Sequence, residues 1–459
     1  MRLHIAAYLG AMEKIGFHGT VLVEQKGQLL LSRGYGFADR ERQQRNTAET
    51  VFDIGSITKQ FTAAAILKLE MQGKLSTEDP LTRYFANVPA DKQQITIHDM
   101  LRHQSGLVGN VGGDYEAITT GAFIDSVLNA PLEFSPGSGF SYSNVGYSLL
   151  AIIVERVSRS SWESYLYEQL WKPAGMEHTG YSRPAFDREA VAIGYDEEQV
   201  LWGLPTEKAW DGNAPFRHLL GNGGVLSTTA DLLRWHHALL GTNILSYEAK
   251  QKYYHPILRA DEDSTSYYAY GWDVSLTEWG SRRFWHNGTN RVFYADYVRF
   301  PEDEVVIIVL CNNAHQYFAR IAFEIARILF RPSYQPVIPP PDNATNRAFT
   351  QRIINALRTS DSGEAQQLFD AKAPDEMLLE YRMRQEGFES IDRGESGLAL
   401  RLFAFNVRVY PGSAKALQAL GEGYMETGNN EEALKYFRRS LDLEPENPFV
   451  RDMLVRLTR

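Results

Sequence analysis

The sequence has one cysteine, Cys311, among 459 residues. A single cysteine excludes an intrachain disulfide and any zinc or iron–sulfur site built from several cysteines. Because Cys311 directly follows the apolar run 305–310, we expect a buried, small hydrophobic side chain and not a nucleophile. That run is the longest purely apolar stretch of the chain, and it is far shorter than the roughly 20 residues that a membrane-spanning helix needs.

Clusters of basic residues are missing as well. The chain carries 47 Lys and Arg against 57 Asp and Glu, a net charge of −10. Nucleic acid and anionic membrane surfaces are therefore poor partners. The first residues lack the apolar h-region of a signal peptide. We expect either a cytoplasmic protein or one whose export signal has been removed, and both compartments stay open.

The composition, with 44% hydrophobic and 23% charged residues, is typical of a folded globular protein. Its length suits roughly two to four domains. A proline-rich stretch near residue 340 reads as an extended linker, and beyond it the strand-like patterns end. We predict a first domain over 1–335, a linker over 336–345 and a helical domain over 346–459.

The first domain has strand-like patterns at both ends and helix-like patterns between them. Strands are predicted over 20–23, 28–31, 270–277, 283–285, 292–300 and 305–310. Helices are predicted over 58–72, 148–157 and 314–330. This order predicts an α+β fold, in which an antiparallel sheet joined from both ends of the domain is covered by helices.

The helical tail contains an internal repeat. A shift of 34 residues aligns Gly387 with Gly421 and Phe403 with Phe437. This period resembles the paired helices of tetratricopeptide repeats, in which small residues let two helices approach and larger ones fill the gap. We expect segment 346–378 to add a helical cap, and we expect the repeats to bind a partner protein or to self-associate.

The most informative segment of the first domain is 52–61, Phe-Asp-Ile-Gly-Ser-Ile-Thr-Lys-Gln-Phe. Apolar residues at helical spacing place Ser56 at a helix N-terminus and Lys59 one turn later on the same face. A helix N-terminus favours developing negative charge, and a desolvated lysine at this spacing can take the serine proton. The alternative is an ordinary capping serine followed by a solvated lysine.

Two further elements follow in the chain. A Gly/Ser-rich loop over 135–144 carries Tyr142 and Asn144, and a strand that we expect to be edge-like ends in His286, Asn287 and Gly288. Each also has an ordinary interpretation: aromatic packing with an Asx turn for the loop, and chance for His-x-Gly. A Ser-x-x-Lys segment followed by both of these elements, in this order, is much less probable by chance than any one of them alone.

Together these motifs resemble the serine β-lactamases and penicillin-binding proteins, in the branch of class C β-lactamases, DD-peptidases and esterases. The resemblance covers about residues 10–330 and includes 101–107 (LRHQSGL) and 221–227 (GNGGVLS). It implies a β-lactamase/transpeptidase-like fold and a serine hydrolase that needs no cofactor and no metal.

The resemblance also implies roles for individual residues. Ser56 would be the acylated nucleophile, Lys59 would relay its proton, and Tyr142 would serve as partner base for the leaving group and the deacylating water. Asn144 would hydrogen-bond the acyl side chain and Lys59. The oxyanion hole would consist of the backbone amides of Ser56 and of Thr289, which follows the His-Asn-Gly segment.

His286 departs from the pattern of most β-lactamases, which carry Lys-Thr-Gly at this place. A lysine can hold the carboxylate of a β-lactam as a permanent cation, whereas a histidine of ordinary pKa is mostly neutral at pH 7. Relatives with histidine here are commonly esterases or peptidases. Arg283 and Arg291 are candidates for a substitute cation.

Two hypotheses follow. In the first, the protein is a serine hydrolase that acts through an acyl-enzyme on small-molecule esters, amides or peptides, as an esterase or D-amino-acid peptidase with weak β-lactamase activity. In the second, it is a penicillin-binding or peptide-binding protein, whose tetratricopeptide-like tail recruits a partner and in which catalysis is minor.

Overall fold

The structure, a computed structural model, describes residues 1–196, 200–208, 210–211, 214–258, 266–359, 362–445 and 447–458. The chain divides into two units, one made chiefly of the residues up to Pro336 and the other chiefly of Val337–Arg459. This division falls at the proline-rich segment, while the bounds 335 and 345 stay predictions. We call the two parts the hydrolase unit and the repeat unit.

An eight-stranded antiparallel sheet organises the hydrolase unit. Its strands are β1 (Gly19–Gln25), β2 (Gln28–Tyr35), β3 (Ile257–Leu258), β4 (Ser266–Tyr268), β5 (Asp273–Leu276), β6 (Arg282–Asn290), β7 (Phe293–Phe300) and β8 (Val305–Cys311). They lie in the order β3-β4-β5-β6-β7-β8-β1-β2. Short two-residue or three-residue strands lie outside this sheet: Phe37–Asp39, Gln44–Arg45, Phe52–Asp53, Gly194–Tyr195, Leu201–Gly203, Trp210–Asp211, Ala214–Pro215 and Leu226–Ser227.

Strands β1 and β8 join the two ends of the unit, as predicted. Gly19 lies opposite Cys311, and Gln25 lies opposite Val305. Every residue of β8 is apolar or cysteine and is buried, as expected for a strand with covered faces on both sides. Cys311 is buried as expected, and burial raises the pKa of its thiol to about 12.

Helices cover both faces of the sheet. The helices of the hydrolase unit are α1 (Arg2–Lys14), α2 (Thr58–Met71), α3 (Ile97–Leu101), α4 (Thr120–Asn129), α5 (Asn144–Ser158), α6 (Trp162–Leu166), α7 (Thr229–Leu240), α8 (Tyr247–Tyr253) and α9 (Ile321–Phe330). His236 of α7 accepts a hydrogen bond from Arg299 Nε (2.9 Å) on one face. On the other face, Phe323 of α9 contacts the Trp285 ring, with centroids 5.2 Å apart. The predicted sheet covered by helices is thus confirmed.

Four local expectations are corrected. Strand β6 is longer than predicted and is not an edge strand, because β5 and β7 flank it. However, β5 pairs only with Arg282–Trp285, while β7 pairs up to Asn290. The segment from His286 onward therefore has one open side, and this side faces the start of α2. The predicted strand 270–277 begins later, as β5 (Asp273–Leu276), because the chain turns at Gly271 (φ +76°) between β4 and β5.

The other two corrections concern helix starts. Helix α5 begins at Asn144 and not at 148, because the Ser143 hydroxyl caps it by accepting a hydrogen bond from Gly146 N (3.2 Å). The closing helix begins at Ile321 and not at 314. The residues before it are held otherwise, since Ala314 N donates to the backbone oxygen of Val292 (2.6 Å) and Phe318–Arg320 form a 3₁₀ turn.

All regular secondary structure in the described residues of the repeat unit is helical. Its helices are α10 (Ala344–Arg358), α11 (Ser362–Asp370), α12 (Glu380–Asp392), α13 (Ser396–Val409), α14 (Ala414–Glu426), α15 (Asn430–Leu443) and α16 (Pro448–Thr458). The predicted repeat is visible in the packing: a Cβ on Gly387 would lie 2.2 Å from the Phe403 ring, and a Cβ on Gly421 would lie 2.8 Å from the Phe437 ring. Over the described ranges of both units, none of the helices combines the length and apolarity that a membrane crossing requires.

Candidate active site

Two glycines bring the turn before α2 against strand β6. Gly55 has φ +48°, and a Cβ there would lie 2.6 Å from the backbone nitrogen of Thr289. A Cβ on Gly288 would lie 2.9 Å from the backbone nitrogen of Ser56. Only glycine permits this approach, since any Cβ would overlap the opposite backbone. The amide groups of Ser56 and Thr289 are therefore neighbours, at a 3₁₀ turn over Gly55–Ile57 that continues into α2.

Lys59 lies one turn after Ser56 and is completely buried. Its Nζ contacts three acceptors: Ser56 Oγ at 3.0 Å, Asn144 Oδ1 at 2.7 Å and the backbone oxygen of Asn222 at 2.9 Å. Burial holds the pKa of the amine well below its usual range, and the charge of Asp114 opposes this shift. Lys59 therefore loses its proton more easily than an exposed lysine, which favours a neutral amine beside the Ser56 hydroxyl.

Tyr142 lies beside Lys59, whose Nζ is 4.7 Å from the centroid of the tyrosine ring. Two aromatic neighbours hold this ring: His103, with centroids 4.3 Å apart, and Tyr268, at 6.2 Å and nearly perpendicular. His103 also fixes the backbone next to Tyr142, because its Nδ1 accepts a hydrogen bond from Ser143 N (3.0 Å). The position of Tyr142 is thus set from both sides.

His286 shares one face of β6 with Gly288 and Asn290, by the alternation of a strand. It is buried, and both ring nitrogens have partners: Nδ1 contacts the backbone oxygen of Asn287 at 2.5 Å, and Nε2 contacts the Tyr268 hydroxyl at 3.0 Å. A carbonyl only accepts, so Nδ1 carries the proton and Nε2 accepts from the hydroxyl in the neutral ring.

A buried carboxyl lies behind the oxyanion side of the site. Asp53 Oδ1 accepts a hydrogen bond from Gly55 N (2.7 Å), and Oδ2 accepts a short one from Asn290 Nδ2. The same Asn290 nitrogen donates to the Tyr115 hydroxyl at 2.9 Å. Burial raises the pKa of Asp53 to about 7. This network ties the turn at Gly55 to the end of β6.

The structure brings together all seven residues named from the sequence: Ser56, Lys59, Tyr142, Asn144, His286, Gly288 and Thr289. Their catalytic roles stay proposals. Of the two candidate cations, Arg283 lies on the opposite face of β6, over the Phe323 ring at 4.7 Å. Arg291 is exposed and lies close enough to Asp114 to lower its pKa. Arg283 therefore does not take the place of the missing lysine.

Several members of the site were not anticipated. Asn222 acts through its backbone oxygen, which any residue type could supply, so its side chain gave no signal. His103 stands in the segment LRHQSGL, which carried the resemblance but suggested no role. Asp53 lies three residues before Ser56 and Asn290 directly follows Thr289, and only their contact across the fold reveals them.

Comparisons with known proteins agree with this geometry. A family model described as Beta-lactamase matches residues 7–330, and a Tetratricopeptide repeat model matches residues 414–447. A penicillin-binding protein of Bacillus subtilis (strain 168) is 28% identical over 442 residues, which are 92% of this chain and 96% of the relative.

Solved structures show the same fold. A penicillin-binding protein from Bacillus halodurans superposes with a TM-score of 0.60 at 26% identity, over 70% of this chain and 99% of its own. D-amino acid amidase from Ochrobactrum anthropi SV3, solved with D-phenylalanine, gives a TM-score of 0.59 at 22% identity, over 71% of this chain and 98% of its own. At that identity the amidase shows likeness of fold alone. Proteins of this family are typically serine hydrolases, and the chain belongs to the beta-lactamase family.

Proposed function

We propose that the protein is a serine hydrolase that cleaves carboxylic esters or D-amino-acid amides and peptides through an acyl-enzyme at Ser56. The observation that carries this proposal is the 3.0 Å contact between Lys59 Nζ and Ser56 Oγ. Because burial lowers the pKa of Lys59, its neutral amine can accept the hydroxyl proton as the oxygen attacks a carbonyl carbon.

Acylation then needs a place for negative charge and a proton for the leaving group. The adjacent amides of Ser56 and Thr289 stabilise the tetrahedral oxyanion. When the bond to the leaving group breaks, the Tyr142 hydroxyl donates its proton to that group and regains one from Lys59. In deacylation, water attacks the acyl carbon, its proton passes to the same pair, and Ser56 recovers its hydroxyl proton.

The substrate class follows from His286. Since both of its nitrogens already have partners and the ring is buried, it offers no free cation to the carboxylate of a β-lactam. Arg283, on the far face of β6, does not supply one either. Neutral esters and amides lose nothing by this arrangement, and β-lactam turnover is expected to be weak.

A panel of substrates tests the proposal: p-nitrophenyl esters, D-aminoacyl p-nitroanilides and nitrocefin, each with the wild type, Ser56→Ala and Ser138→Ala. Ser138 is an exposed serine of the loop before Tyr142 and serves as the matched control. We expect turnover of an ester or anilide, a loss of at least about 10³-fold in kcat for Ser56→Ala, and nearly unchanged kcat for Ser138→Ala.

Activity that survives in Ser56→Ala would contradict the proposed nucleophile.

The second candidate, a binding protein with minor catalysis, is favoured by the penicillin-binding relative and by the tetratricopeptide match. It predicts a long-lived penicillin adduct without turnover of any ester or anilide, and that result would overturn the hydrolase proposal.

A further inference from the structure

A cavity lies in the hydrolase unit outside the candidate active site. It has a volume of about 370 Å³, and its lining comes from the loop after α2, the end of α3, helix α8 and the turn after β4. The described residues that line it include none of the seven residues of the candidate active site. This volume is within the usual range for small-molecule sites, so the cavity is a candidate binding site in its own right.

The cavity wall contains a buried arginine that has no anionic partner. Arg102 is 8% exposed, and its Nη1 donates a hydrogen bond to His98 Nε2 (2.7 Å). Since an arginine only donates, His98 Nε2 accepts, and the imidazole ring is neutral. Arg102 Nε is buried without a hydrogen-bond partner. Among the described residues, no carboxylate forms an ion pair with this guanidinium.

The charged groups nearby already have other contacts. Asp99 Oδ2 accepts hydrogen bonds from the backbone nitrogen and the hydroxyl of Thr96, at 2.9 and 2.7 Å. Lys252, a second cation of the cavity lining, contacts both carboxylate oxygens of Glu70, at 3.0 and 2.9 Å. Arg102 is therefore the cation of the lining that a ligand can neutralise.

Burial without an anion is unfavourable for Arg102. Burial lowers the pKa of its guanidinium, and Tyr270, Asp99 and Glu78 oppose this shift only in part. Removing a cation from water without a paired anion costs free energy. A ligand that brings a carboxylate into the cavity would remove that cost.

The exposed edge of the cavity has the opposite charge. Glu78 and Glu248 line the cavity and are exposed, and within the described part of the chain neither forms an ion pair. Because the charge of Glu78 raises the pKa of Arg102, the two groups lie within electrostatic range of each other. These carboxylates repel a multiply charged anion and attract an ammonium group.

We propose that this cavity binds a zwitterionic amino acid or short peptide, whose carboxylate pairs with Arg102 and whose ammonium group pairs with Glu78 or Glu248. Arg102 Nε and Nη2 make no hydrogen bond to a described residue. They form one edge of the planar guanidinium, which can hold a carboxylate through two parallel hydrogen bonds. The site is separate from the catalysis proposed at Ser56 and does not depend on it.

Calorimetric titration of the full chain carrying Ser56→Ala, which should turn over no probe, tests the charges of the ligand. The zwitterionic probes are alanine and alanylalanine, each in its L and D forms, which distinguish an amino acid from a peptide. The blocked probes are N-acetylalanylalanine, which lacks the ammonium group, and alanylalanine amide, which lacks the carboxylate. We expect at least one zwitterionic probe to bind at least about tenfold more tightly than both blocked probes, because each of these loses a charged contact.

A substitution of the buried cation tests where the probe binds. Arg102→Gln keeps a donor for His98 and removes the charge, so the Kd of the best zwitterionic probe should rise by at least about tenfold. The control is Lys74→Gln, which removes an exposed cation outside the cavity and should leave the Kd unchanged. Thermal unfolding checks that each variant is folded.

The exposed edge gives an independent test that does not disturb the core. In the double variant Glu78→Gln/Glu248→Gln, the Kd should rise by about threefold or more, as expected for exposed charge pairs. Its matched control is Glu49→Gln/Glu177→Gln, which removes two exposed carboxylates outside the cavity and should leave the Kd unchanged.

Three results would overturn the inference: no binding of any zwitterionic probe, equally tight binding of N-acetylalanylalanine, or an unchanged Kd in folded Arg102→Gln. If Arg102→Gln does not fold, an unchanged Kd in the double glutamate variant overturns it instead. A Kd that depends on Asn144, in Asn144→Ala, and not on Arg102 would place the probe in the candidate active site and would also overturn it. The proposed function is decided separately, by the turnover of esters and anilides.

Discussion

Glycines allow a close approach of backbone to backbone in the hydrolase unit and of backbone to an aromatic ring in the repeat unit. In the hydrolase unit, a Cβ on Gly288 would lie 1.9 Å from the backbone oxygen of Ile54. In the repeat unit, a Cβ on Gly421 would lie 2.8 Å from the ring of Phe437. A ring on rotatable bonds can shift by a few tenths of an ångström, whereas two paired backbones cannot. We therefore expect a side chain at the candidate oxyanion hole of the hydrolase unit to be far more disruptive than one in the helix packing of the repeat unit.

The largest effect is expected for Gly288→Ala. Because the new methyl group would separate the Ser56 turn from β6, we expect kcat to fall by at least about 10³-fold, the scale of a lost oxyanion contact. The measurement is ester hydrolysis alongside thermal unfolding. The control is Gly121→Ala in α4, where a Cβ meets no atom within 4 Å. It should retain full activity, and wild-type activity in Gly288→Ala would show that the close approach is not needed.

The two units also differ in where their ionisable groups lie. The repeat unit carries ion pairs at its surface, such as Arg393 with Glu386 at 2.7 Å, whereas the hydrolase unit buries Asp53 with a pKa of about 7. An unfolded aspartate titrates near the ordinary value, so the folded state holds the extra proton between the two pKa values. Stability from this group is therefore present at low pH and is lost as the pH rises toward about 7.

We expect the free energy of unfolding to fall by up to about 3 kcal/mol between pH 5 and pH 8 through Asp53, at ~1.4 kcal/mol per pKa unit. Asp53→Asn should remove this component. The neutral amide should be tolerated because Asn290 Oδ1 has no hydrogen-bond partner among the residues that the structure describes, so the Asn290 amide can rotate to accept. Urea unfolding at several pH values measures the slope. An identical slope in the wild type and in Asp53→Asn would contradict the assignment.

In the repeat unit, Gly421→Ala should cost about 1–3 kcal/mol, the usual range for overpacking in a core that can adjust. Helical circular dichroism on heating would report the loss, while ester hydrolysis stays at the wild-type rate. Gly412→Ala is the matched control, since a Cβ there meets no atom within 4 Å. A loss of ester turnover in folded Gly421→Ala would show that the repeat unit contributes to the chemistry.

The smallest expected effect concerns substrate choice. His286→Lys restores the cation that most β-lactamases carry, so the ratio of nitrocefin turnover to ester turnover should rise by about tenfold, or ~1.4 kcal/mol. The ratio, and not either rate alone, is the readout, because the lysine also removes the acceptor of the Tyr268 hydroxyl. An unchanged ratio would mean that the histidine does not disfavour β-lactams.

Local patterns in the sequence predicted much of the fold. The apolar spacing after Ser56 predicted a helix over 58–72, and α2 spans Thr58–Met71. Strand β8, and its place in a sheet that joins both ends of the unit, were also predicted, because a short apolar run bounded by turns is typical of a buried strand. The edge-like position of β6 was wrong, since the order of strands depends on pairing between distant segments and leaves no mark in a single strand.

In the candidate site, too, local motifs were predicted and contacts between distant segments were not. Ser56, Lys59 and Tyr142 were named from motifs because each has a chemically reactive side chain. The backbone oxygen of Asn222 and the pairing of Asp53 with Asn290 were not named, because they arise only where separate segments meet. The glycine–phenylalanine contacts of the repeat unit followed from a period of 34 residues, since repetition places equivalent residues in equivalent contacts.

The central claim, that Ser56 is the activated nucleophile, is tested most directly by covalent labelling. The full-length protein is treated with a fluorophosphonate and digested, and the adduct is located by peptide mass spectrometry. We predict one adduct, on Ser56, which forms rapidly in the wild type and at least about 10²-fold more slowly in Lys59→Ala, because the lysine takes the serine proton. An adduct on another serine with Ser56 unmodified, or an equal labelling rate in Lys59→Ala, would contradict the account.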